Sequence, residues 1–126
     1  SGEVAASDAV TDLGTATSGL AKELVLLNNW VNYDPNVFAS ASARIDNEGY
    51  VHLSGVIKDG DTTPGTDIAV LPAGLRPKTA LKVSALSRQG GALSVADINI
   101  HADGTIRLIS GGNTYLSLEG ISFPTH

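Results

Sequence analysis

Residues Leu93–Leu108 read LSVADINIHADGTIRL, and this stretch decides the class of fold. Before Asp103-Gly104, Ile98 and Ile100 alternate with polar residues, and after it Ile106 begins the same alternation. Asp-Gly between two alternating runs is the strongest short-range signal for a β-hairpin, because its turn needs residues that tolerate positive φ. The stretch therefore predicts two antiparallel strands, each with one buried face.

The same pattern continues in both directions as short alternating runs separated by Gly, Pro, Asn and Asp. The predicted strands are Val37–Ile45, Tyr50–Ile57, Ile68–Leu71, Thr79–Leu86, Leu93–His101, a run from Ile106 to Leu108, Tyr115–Glu119 and Ile121–Phe123. About six to eight short strands at this spacing are typical of a sandwich, a jelly roll or a small barrel. Residues 30–126 are therefore predicted to form a mainly β, antiparallel head of the β-sandwich or jelly-roll type.

The apolar residues that precede the head recur with a different period. Apolar or small residues recur there at alternating spacings of three and four, as in the seam of a coiled coil. The seam residues are Val10, Leu13, Thr17, Leu20, Leu24, Leu27 and Val31. This pattern predicts a helical coiled-coil neck from Val10 to Asn29, inside a neck segment 1–29 that ends a longer shaft. Such a short helix is marginal alone in water, so a homotrimer is expected to stabilise it. The alternative is a short buried strand at Leu24–Leu27, because four consecutive apolar residues also fit a strand.

Composition limits the classes of partner. The chain has 126 residues, of which 42% are hydrophobic, and no Cys, so disulfides and thiolate metal sites are excluded. A net charge of -5 leaves no basic surface for a phosphate backbone, so nucleic acid is not an expected partner. No apolar run reaches membrane-spanning length, which predicts a protein without membrane insertion. Because the chain starts with Ser1 and not Met, it is expected to continue a longer protein.

Residues that carry chemistry are scattered along the chain. His52, His101 and His126 lie far apart in sequence and lack the spacing of zinc ligands. Asp59-x-Asp61 matches the start of a calcium loop, but Pro64 stands where that loop needs Gly. Ser residues are plentiful, yet none lies in a Gly-x-Ser-x-Gly motif. Catalytic residues, metal ions and cofactors are therefore not expected.

Aromatic residues matter for sugar recognition, because an aromatic ring stacks on the apolar face of a pyranose. Trp30 and Phe123 lie beside apolar residues near segment ends, and are predicted to pack in the interior. Tyr50 and Tyr115 share predicted strands with polar residues, and are predicted to be exposed.

Four segments carry a resemblance that periodicity does not reveal. They are GYVHLSG at Gly49–Gly55, LPAGLRP at Leu71–Pro77, Asp103-Gly104, and SLEGISF at Ser117–Phe123. In this order they resemble the C-terminal head of bacteriophage tail-fibre or receptor-binding proteins, over roughly residues 30–123. The resemblance implies a homotrimeric β-structured knob on the virion tail that recognises a cell-surface saccharide without cleaving it. The matching segments are turns and strand edges, so they say little about which residues contact the ligand.

The reversal of direction at each strand predicts where a ligand meets the head. If the neck enters at one pole, the turns at Asp46–Gly49, Pro72–Pro77 and Asp103-Gly104 lie at the far pole. The ligand-binding residues predicted there are Asn47, Tyr50, Arg76, His101 and Asp103. One miscounted strand exchanges the poles and gives the alternative set Arg88, Gln89, Asn113 and Tyr115. Arg76 also has a structural interpretation, in which its guanidinium satisfies buried carbonyls or a carboxylate.

The leading functional hypothesis is that the head of a phage tail fibre attaches the virion to a host cell-surface polysaccharide. Its expected partners are two further copies of the chain, the polysaccharide, and the rest of the tail fibre through the N-terminus. Two hypotheses of other classes stay open. One is a structural cap that ends a trimeric shaft without binding a ligand, and the other is an enzyme that cleaves polysaccharide.

Overall fold

A computed structural model describes residues 20–126, and within that range the chain forms strands and turns but no helix. The strands are β1 (Lys22–Glu23), β2 (Val25–Leu26), β3 (Val31–Asn32), β4 (Ser42–Ile45), β5 (Tyr50–Ser54), β6 (Val56–Lys58), β7 (Thr66–Val70), β8 (Leu81–Gln89), β9 (Ala92–Ile100), β10 (Thr105–Ser110), β11 (Tyr115–Ser117) and β12 (Ser122–Pro124). The described pairs are antiparallel, so the mainly β, antiparallel prediction is confirmed. In this part of the chain there is also no helical segment with the length and hydropathy of a membrane span.

The strands form two sheets that share one apolar core. The small sheet has the order β1-β4-β5-β12, and the large sheet has the order β2-β7-β10-β9-β8-β11-β6-β3. Val51 and Phe123 of the small sheet belong to the same buried cluster as Ile98 and Leu108 of the large sheet. The chain passes between the sheets from β1 to β2, from β3 to β4, from β5 to β6 and from β11 to β12, so four connections tie the layers together.

The hairpin predicted at Asp103-Gly104 is confirmed. It joins β9 to β10, with the His101 N–H donating to the Thr105 carbonyl and the Gly104 N–H donating to the His101 carbonyl. Gly104 has a φ of 94°, a conformation that favours glycine. Because Ile98, Ile100, Ile106 and Leu108 are all fully buried, the predicted alternation sets the register of the central strands.

The helical prediction is wrong for the part of the neck that the structure describes, Leu20–Asn29. These residues form β1, β2 and a turn, because their backbone pairs with distant segments. The Leu24 N–H donates to the Ala41 carbonyl at 3.0 Å, and the Leu27 N–H to the Ile68 carbonyl at 2.8 Å. The seam residues also do not share a face, since Leu24 is buried while Leu20 and Val31 are exposed. The alternative of a short buried strand at Leu24–Leu27 is thus correct as to a strand, Val25–Leu26, but not as to its burial, since Val25 is 64% exposed. Val10, Leu13 and Thr17 lie outside the described residues.

The turn after β2 almost closes the large sheet into a barrel. Leu27–Trp30 joins β2 to β3, which are the two edge strands of that sheet. Asn28 and Asn29 adopt positive φ angles of 54° and 73°, and the Asn28 carbonyl accepts a hydrogen bond from the Asp61 N–H. Trp30 is 3% exposed, which confirms its predicted place in the interior. The residues assigned to a neck thus hold the two ends of the sheet together.

The run Tyr50–Ile57, predicted as one strand, is broken at Gly55 where the chain leaves the small sheet and enters the large one. Gly55 has a φ of 117°, and a Cβ there would lie 2.6 Å from the backbone N and Cα of Ala41. A hydrogen bond of 2.8 Å from the Gly55 N–H to Glu119 Oε2 fixes the bend. This position therefore requires glycine, both for its dihedral angle and for the close approach of two backbones.

Candidate functional site

A cavity of about 450 Å³ opens on the outward face of the large sheet, beside β6, β8 and β11. Its volume falls within the range of about 300–1,000 Å³ that is usual for small-molecule sites. The lining residues are Tyr33, Phe38, Val56, Leu86, Tyr115, Ser117 and Glu119. Because three of these seven side chains are aromatic, we call this feature the aromatic cavity.

Strand alternation explains which side chains face the cavity. In β11, Leu116 is fully buried, and its neighbours Tyr115 and Ser117 therefore point outward. In β6, Ile57 is fully buried and Val56 lies opposite Ser117 in register. The pairing of β11 with β6 and β8 thus brings outward residues from three strands to one surface.

Tyr33 and Phe38 reach the cavity from the segment that follows β3. The Tyr33 N–H donates to the Val56 carbonyl, and the Phe38 N–H donates to the Asp34 carbonyl, both at 2.8 Å. Asp34 Oδ1 also accepts from the Asn36 N–H, so the turn is closed by a side chain as well as by the backbone. These bonds replace the start of the predicted strand Val37–Ile45, of which only Ser42–Ile45 pairs.

The three rings meet at right angles. The Tyr33 and Phe38 centroids are 5.7 Å apart with planes at 75°, and the Tyr33 and Tyr115 centroids are 6.2 Å apart with planes at 87°. Edge-to-face pairs of this kind are favourable and restrict ring rotation. Tyr33 therefore forms a corner with Phe38 on one side and Tyr115 on the other.

Two cations flank this corner. Lys58 Nζ lies 5.3 Å from the centroid of the Tyr33 ring, and Arg88 Cζ lies 5.8 Å from that of Tyr115. At these distances a cation is attracted to the ring. Neither cation forms an ion pair with a carboxylate of residues 20–126. Arg88 Nη1 donates to the Gly91 carbonyl at 3.0 Å, and the other N–H groups of Arg88 and those of Lys58 are cationic donors beside the aromatic walls.

Glu119 supplies the acidic group of the cavity. Because its Oε2 accepts from the Gly55 N–H at 2.8 Å, the carboxylate is fixed by the bend between the two sheets. An ionised carboxylate has acceptor sites on both oxygens, so it can also accept from a hydroxyl inside the cavity. The arrangement offers rings for stacking, a carboxylate acceptor, cationic donors and the hydroxyls of the lining residues, and it suits a small polar ligand that has an apolar face.

Comparisons with known proteins bear on the fold. No protein-family model matches the chain, and no curated protein does either. Among solved structures, the crystal structure of the receptor binding protein (gp15) of Listeria phage PSA matches with a TM-score of 0.68 and 22% identity. The match covers 89% of this chain and 68% of that one. The chain has the fold of a phage receptor-binding protein. The resemblance drawn from its four sequence segments is thus confirmed for the fold.

In this fold, three residues of the far-pole prediction lie close together. Arg76 Nε donates to the Leu71 carbonyl at 3.0 Å, which confirms the structural interpretation of Arg76. The Leu71 N–H donates to the Gly104 carbonyl, so the Leu71–Pro77 segment lies against the Asp103-Gly104 turn. The pKa of Asp103 is lowered mainly by hydrogen bonds from Thr105, with smaller effects of the charges on His101 and Arg76. Ligand binding by Arg76, His101 and Asp103 stays a prediction.

The other two far-pole residues, Asn47 and Tyr50, lie on the hairpin between β4 and β5 in the small sheet. Tyr50 is 41% exposed, as predicted, and its ring contacts the His126 ring with centroids 5.9 Å apart. Among the described residues, no hydrogen bond, ion pair or ring contact joins Tyr50 to Arg76, His101 or Asp103.

The alternative set lies beside the aromatic cavity. Tyr115 lines it, and Arg88 is opposite Tyr115 in register. Gln89 Oε1 accepts from the Asn113 N–H at 3.1 Å, and Asn113 Nδ2 donates to the Gly60 carbonyl at 2.9 Å. Gln89 and Asn113 therefore fix the loops that support Arg88 and Tyr115.

Sequence reasoning missed Tyr33, Phe38 and Glu119 as site residues. The detectable signal for the first two is Asp34-Pro35-Asn36, a turn sequence with an aromatic residue on each side. Glu119 carries no local signal, because only its hydrogen bond to the distant Gly55 places it at the cavity. In the described part of the chain, no group of three or more His, Cys, Asp or Glu residues is arranged to hold a metal ion.

The hairpin that carries Tyr50 is stabilised by hydrogen bonds of the Asp46 carboxylate, and this stabilisation depends on pH. Asp46 Oδ2 lies 2.9 Å from His52 Nε2, and Asp46 Oδ1 accepts from the N–H groups of Glu48 and Tyr50. The hydrogen bond with His52, followed by that from Tyr50, lowers the pKa of Asp46 from 3.8 to about 2. A carboxyl whose pKa is lowered by folding stabilises the folded state above its ordinary pKa, and this contribution is lost as the pH falls through the lowered value.

We therefore expect Asp46→Asn to melt at a lower temperature than the wild type above about pH 4, with the difference closing as the pH falls toward about 2. Thermal melts followed by circular dichroism across this range test the prediction. Asp61 and Asp103, whose pKa values are also lowered, are present in both proteins and cancel in the comparison. A difference that does not change with pH would contradict the role of Asp46.

Proposed function

We propose that the chain is the receptor-binding head of a phage tail fibre, and that its aromatic cavity binds a saccharide of the host cell surface. One observation carries this proposal: three aromatic rings and a fixed carboxylate line one cavity of about 450 Å³. A pyranose ring has an apolar C–H face that packs on an aromatic ring, while its hydroxyls need donors and acceptors. Tyr33 and Tyr115 supply the rings, Glu119 the acceptor, and Arg88 and Lys58 the donors.

The shared fold supports the assignment to a phage tail. In the proposed assembly the head is a homotrimer at the virion tail, joined to the rest of the fibre through its N-terminus. Each cavity binds one saccharide unit weakly. Three cavities acting on one repetitive polymer bind much more tightly, since the second and third contacts form at a high effective concentration.

The number of carboxylates in the aromatic cavity is consistent with binding of a saccharide without cleavage. Glycoside hydrolysis commonly uses two carboxyl groups about 5–9.5 Å apart. Glu119 is the one carboxylate among the described residues that line the aromatic cavity, and it is bonded to the Gly55 backbone. The proposed role is therefore attachment, with Glu119 recognising a hydroxyl.

The test starts with a glycan array of bacterial surface polysaccharides, followed by titration calorimetry with the glycan that binds best. We expect Tyr115→Ala to weaken binding about tenfold or more, because an anchoring aromatic side chain contributes more than about 1 kcal/mol. Tyr50→Ala is the matched control, because it removes the same type of side chain from the small sheet, away from the cavity. Circular dichroism checks that both variants remain folded.

Each outcome separates the hypotheses. Wild-type affinity of Tyr115→Ala for the glycan contradicts the cavity as the binding site. Loss of affinity in Tyr50→Ala alone indicates that the binding site is at the far pole. An array without signal favours the structural cap. New reducing ends in the mixture of protein and glycan favour the polysaccharide-cleaving enzyme.

A further inference from the structure

The hydroxyl of Thr114 holds the turn of the β8–β9 hairpin from outside. Gly90 and Gly91 form this turn, between the end of β8 and the start of β9. Neither residue has a side chain that could pack against the rest of the head. Instead, Thr114 Oγ1 accepts a hydrogen bond from the Gly90 N–H at 2.7 Å, across 24 residues of the chain. This bond attaches the turn to the segment that leads into β11.

The same turn holds the side chain of Arg88. Arg88 Nη1 donates to the Gly91 carbonyl at 3.0 Å, while the guanidinium Cζ lies 5.8 Å from the centroid of the Tyr115 ring. In the described part of the chain, neither Nε nor Nη2 of Arg88 forms a hydrogen bond. The bond to Gly91 therefore determines which N–H groups of the guanidinium stay available to a ligand.

The backbone of Thr114 completes a closed set of contacts. The Thr114 N–H donates to the Arg88 carbonyl at 2.9 Å, and the next residue, Tyr115, lies opposite Arg88 in register. Thr114 is thus bonded to Arg88 directly through the backbone and, by way of the Gly90-Gly91 turn, to the guanidinium. The side chains of Arg88 and Tyr115 are thereby held in one fixed arrangement beside the aromatic cavity.

We infer that Thr114 is a positioning residue of the saccharide site, and that its hydroxyl orients the Arg88 guanidinium over the Tyr115 ring. This inference rests on the proposed function and adds the residue that prepares the site for its ligand. Thr114 does not line the aromatic cavity, so it acts through Arg88. A side chain that is ordered before binding loses less conformational entropy when the ligand arrives, and this increases affinity.

The first test needs no ligand. The chain has four Arg residues, and Arg88→Lys identifies the Nε–Hε signal of Arg88 in a two-dimensional nitrogen–proton NMR spectrum. The ring current of Tyr115 makes the chemical shift of this signal sensitive to the position of the guanidinium. Thr114→Val keeps the shape of the side chain but removes the oxygen, so we expect the signal to move. Thr114→Ser keeps the oxygen, and we expect it to retain the wild-type shift.

Thr125→Val is the matched control for the NMR measurement. Thr125 Oγ1 donates to the Gly49 carbonyl at 2.8 Å, so this threonine also bonds to a hairpin turn, but in the small sheet. Its substitution is expected to leave the Arg88 signal unchanged. Thr114→Ala also lacks the oxygen, and we expect it to reproduce the shift of Thr114→Val. Circular dichroism checks that the variants remain folded.

The second test measures binding by calorimetry with the glycan that gives the strongest signal on the array. We expect Thr114→Val to weaken binding about fivefold, as is usual for the loss of one hydrogen bond, and Thr114→Ser to bind like the wild type. In the Arg88→Ala background, Thr114→Val is expected to cause no further loss, because the group that it orients is absent. A general structural role of Thr114 would instead weaken binding equally in both backgrounds.

The outcomes distinguish this inference from the proposed function. An Arg88 signal at the wild-type shift in Thr114→Val shows that the hydroxyl does not orient the guanidinium, and the inference is then wrong whatever the glycan data show. A moved signal with wild-type affinity for the glycan also contradicts the positioning role, although the saccharide site stands. An array without signal contradicts the saccharide site itself, whereas the NMR comparison still decides whether Thr114 orients Arg88.

Discussion

Gly55→Ala is expected to lower the free energy of unfolding by several kcal/mol, more than any other conservative change in the bend between the sheets. The φ of 117° costs an L-residue about 1–2 kcal/mol. The added Cβ also lies 2.6 Å from the backbone of Ala41, and relieving such an overlap costs about 1–3 kcal/mol more. Ala41 is 2% exposed, and its N–H donates to Asn32 Oδ1, so it has little freedom to move.

Urea denaturation followed by circular dichroism measures this loss, with all proteins at one concentration because the proposed homotrimer would make stability depend on concentration. Gly74→Ala is the matched control. Gly74 also has a positive φ, 90°, but a Cβ there meets no atom within 4 Å. Its substitution therefore reports dihedral strain alone, about 1–2 kcal/mol. Equal losses in the two variants would show that the Ala41 backbone gives way and that the overlap contributes nothing.

Trp30→Ala is expected to cost about 3–5 kcal/mol, as is usual for truncating a buried aromatic side chain. Trp30 belongs to the turn that joins both edges of the large sheet, and its ring packs on Gly60. A Cβ at Gly60 would lie 1.9 Å from the Trp30 ring, so Gly60→Ala is expected to cost about 1–3 kcal/mol in the wild type.

A double-mutant cycle tests whether the two residues act as one contact. In the Trp30→Ala background the space beside Gly60 is open, and Gly60→Ala is expected to be nearly neutral. Trp30 is the single tryptophan of the chain, so Trp30→Ala has no tryptophan fluorescence. Unfolding is therefore followed by circular dichroism. The same cost for Gly60→Ala in both backgrounds would contradict the packing of the ring on Gly60.

Local signals explain what the sequence predicts correctly. Asp103-Gly104 specifies its own turn, and the alternation at Ile98, Ile100 and Ile106 then sets the faces of both strands without distant information. The interior position of Trp30 also follows from its apolar neighbours. These features depend on residues that are close in sequence, so they can be derived before the structure is known.

The errors come from contacts between residues far apart in the chain. The spacing of Leu20, Leu24 and Leu27 fits a helix as well as short strands separated by a bend. The carbonyls of Ala41 and Ile68, which accept hydrogen bonds from this segment, decide between them. A segment with weak helix propensity forms strands when such partners exist, because the effect of propensity is smaller than that of pairing with distant segments.

The candidate site shows the same limit. Tyr33 and Tyr115 meet because β11, β6 and β3 are consecutive in the large sheet, and strand order is not encoded locally. The break at Gly55 adds a second difficulty, because it divides one predicted strand between two sheets. It therefore changes the number of strands, and the assignment of each turn to a pole depends on that number. The alternative set contains Tyr115 and Arg88, but sequence alone gives no reason to prefer it.

The alternation in β6 and β11 also has an evolutionary consequence. Leu116 and Ile57 fill the core, while Tyr115, Ser117 and Val56 face the cavity from adjacent positions. A mutation at a cavity position changes the surface of the cavity and leaves the volume of the core unchanged. Under the proposed function, selection for a new host receptor can therefore act on these positions without first requiring compensating changes in the interior, and the scaffold can persist while its specificity diverges.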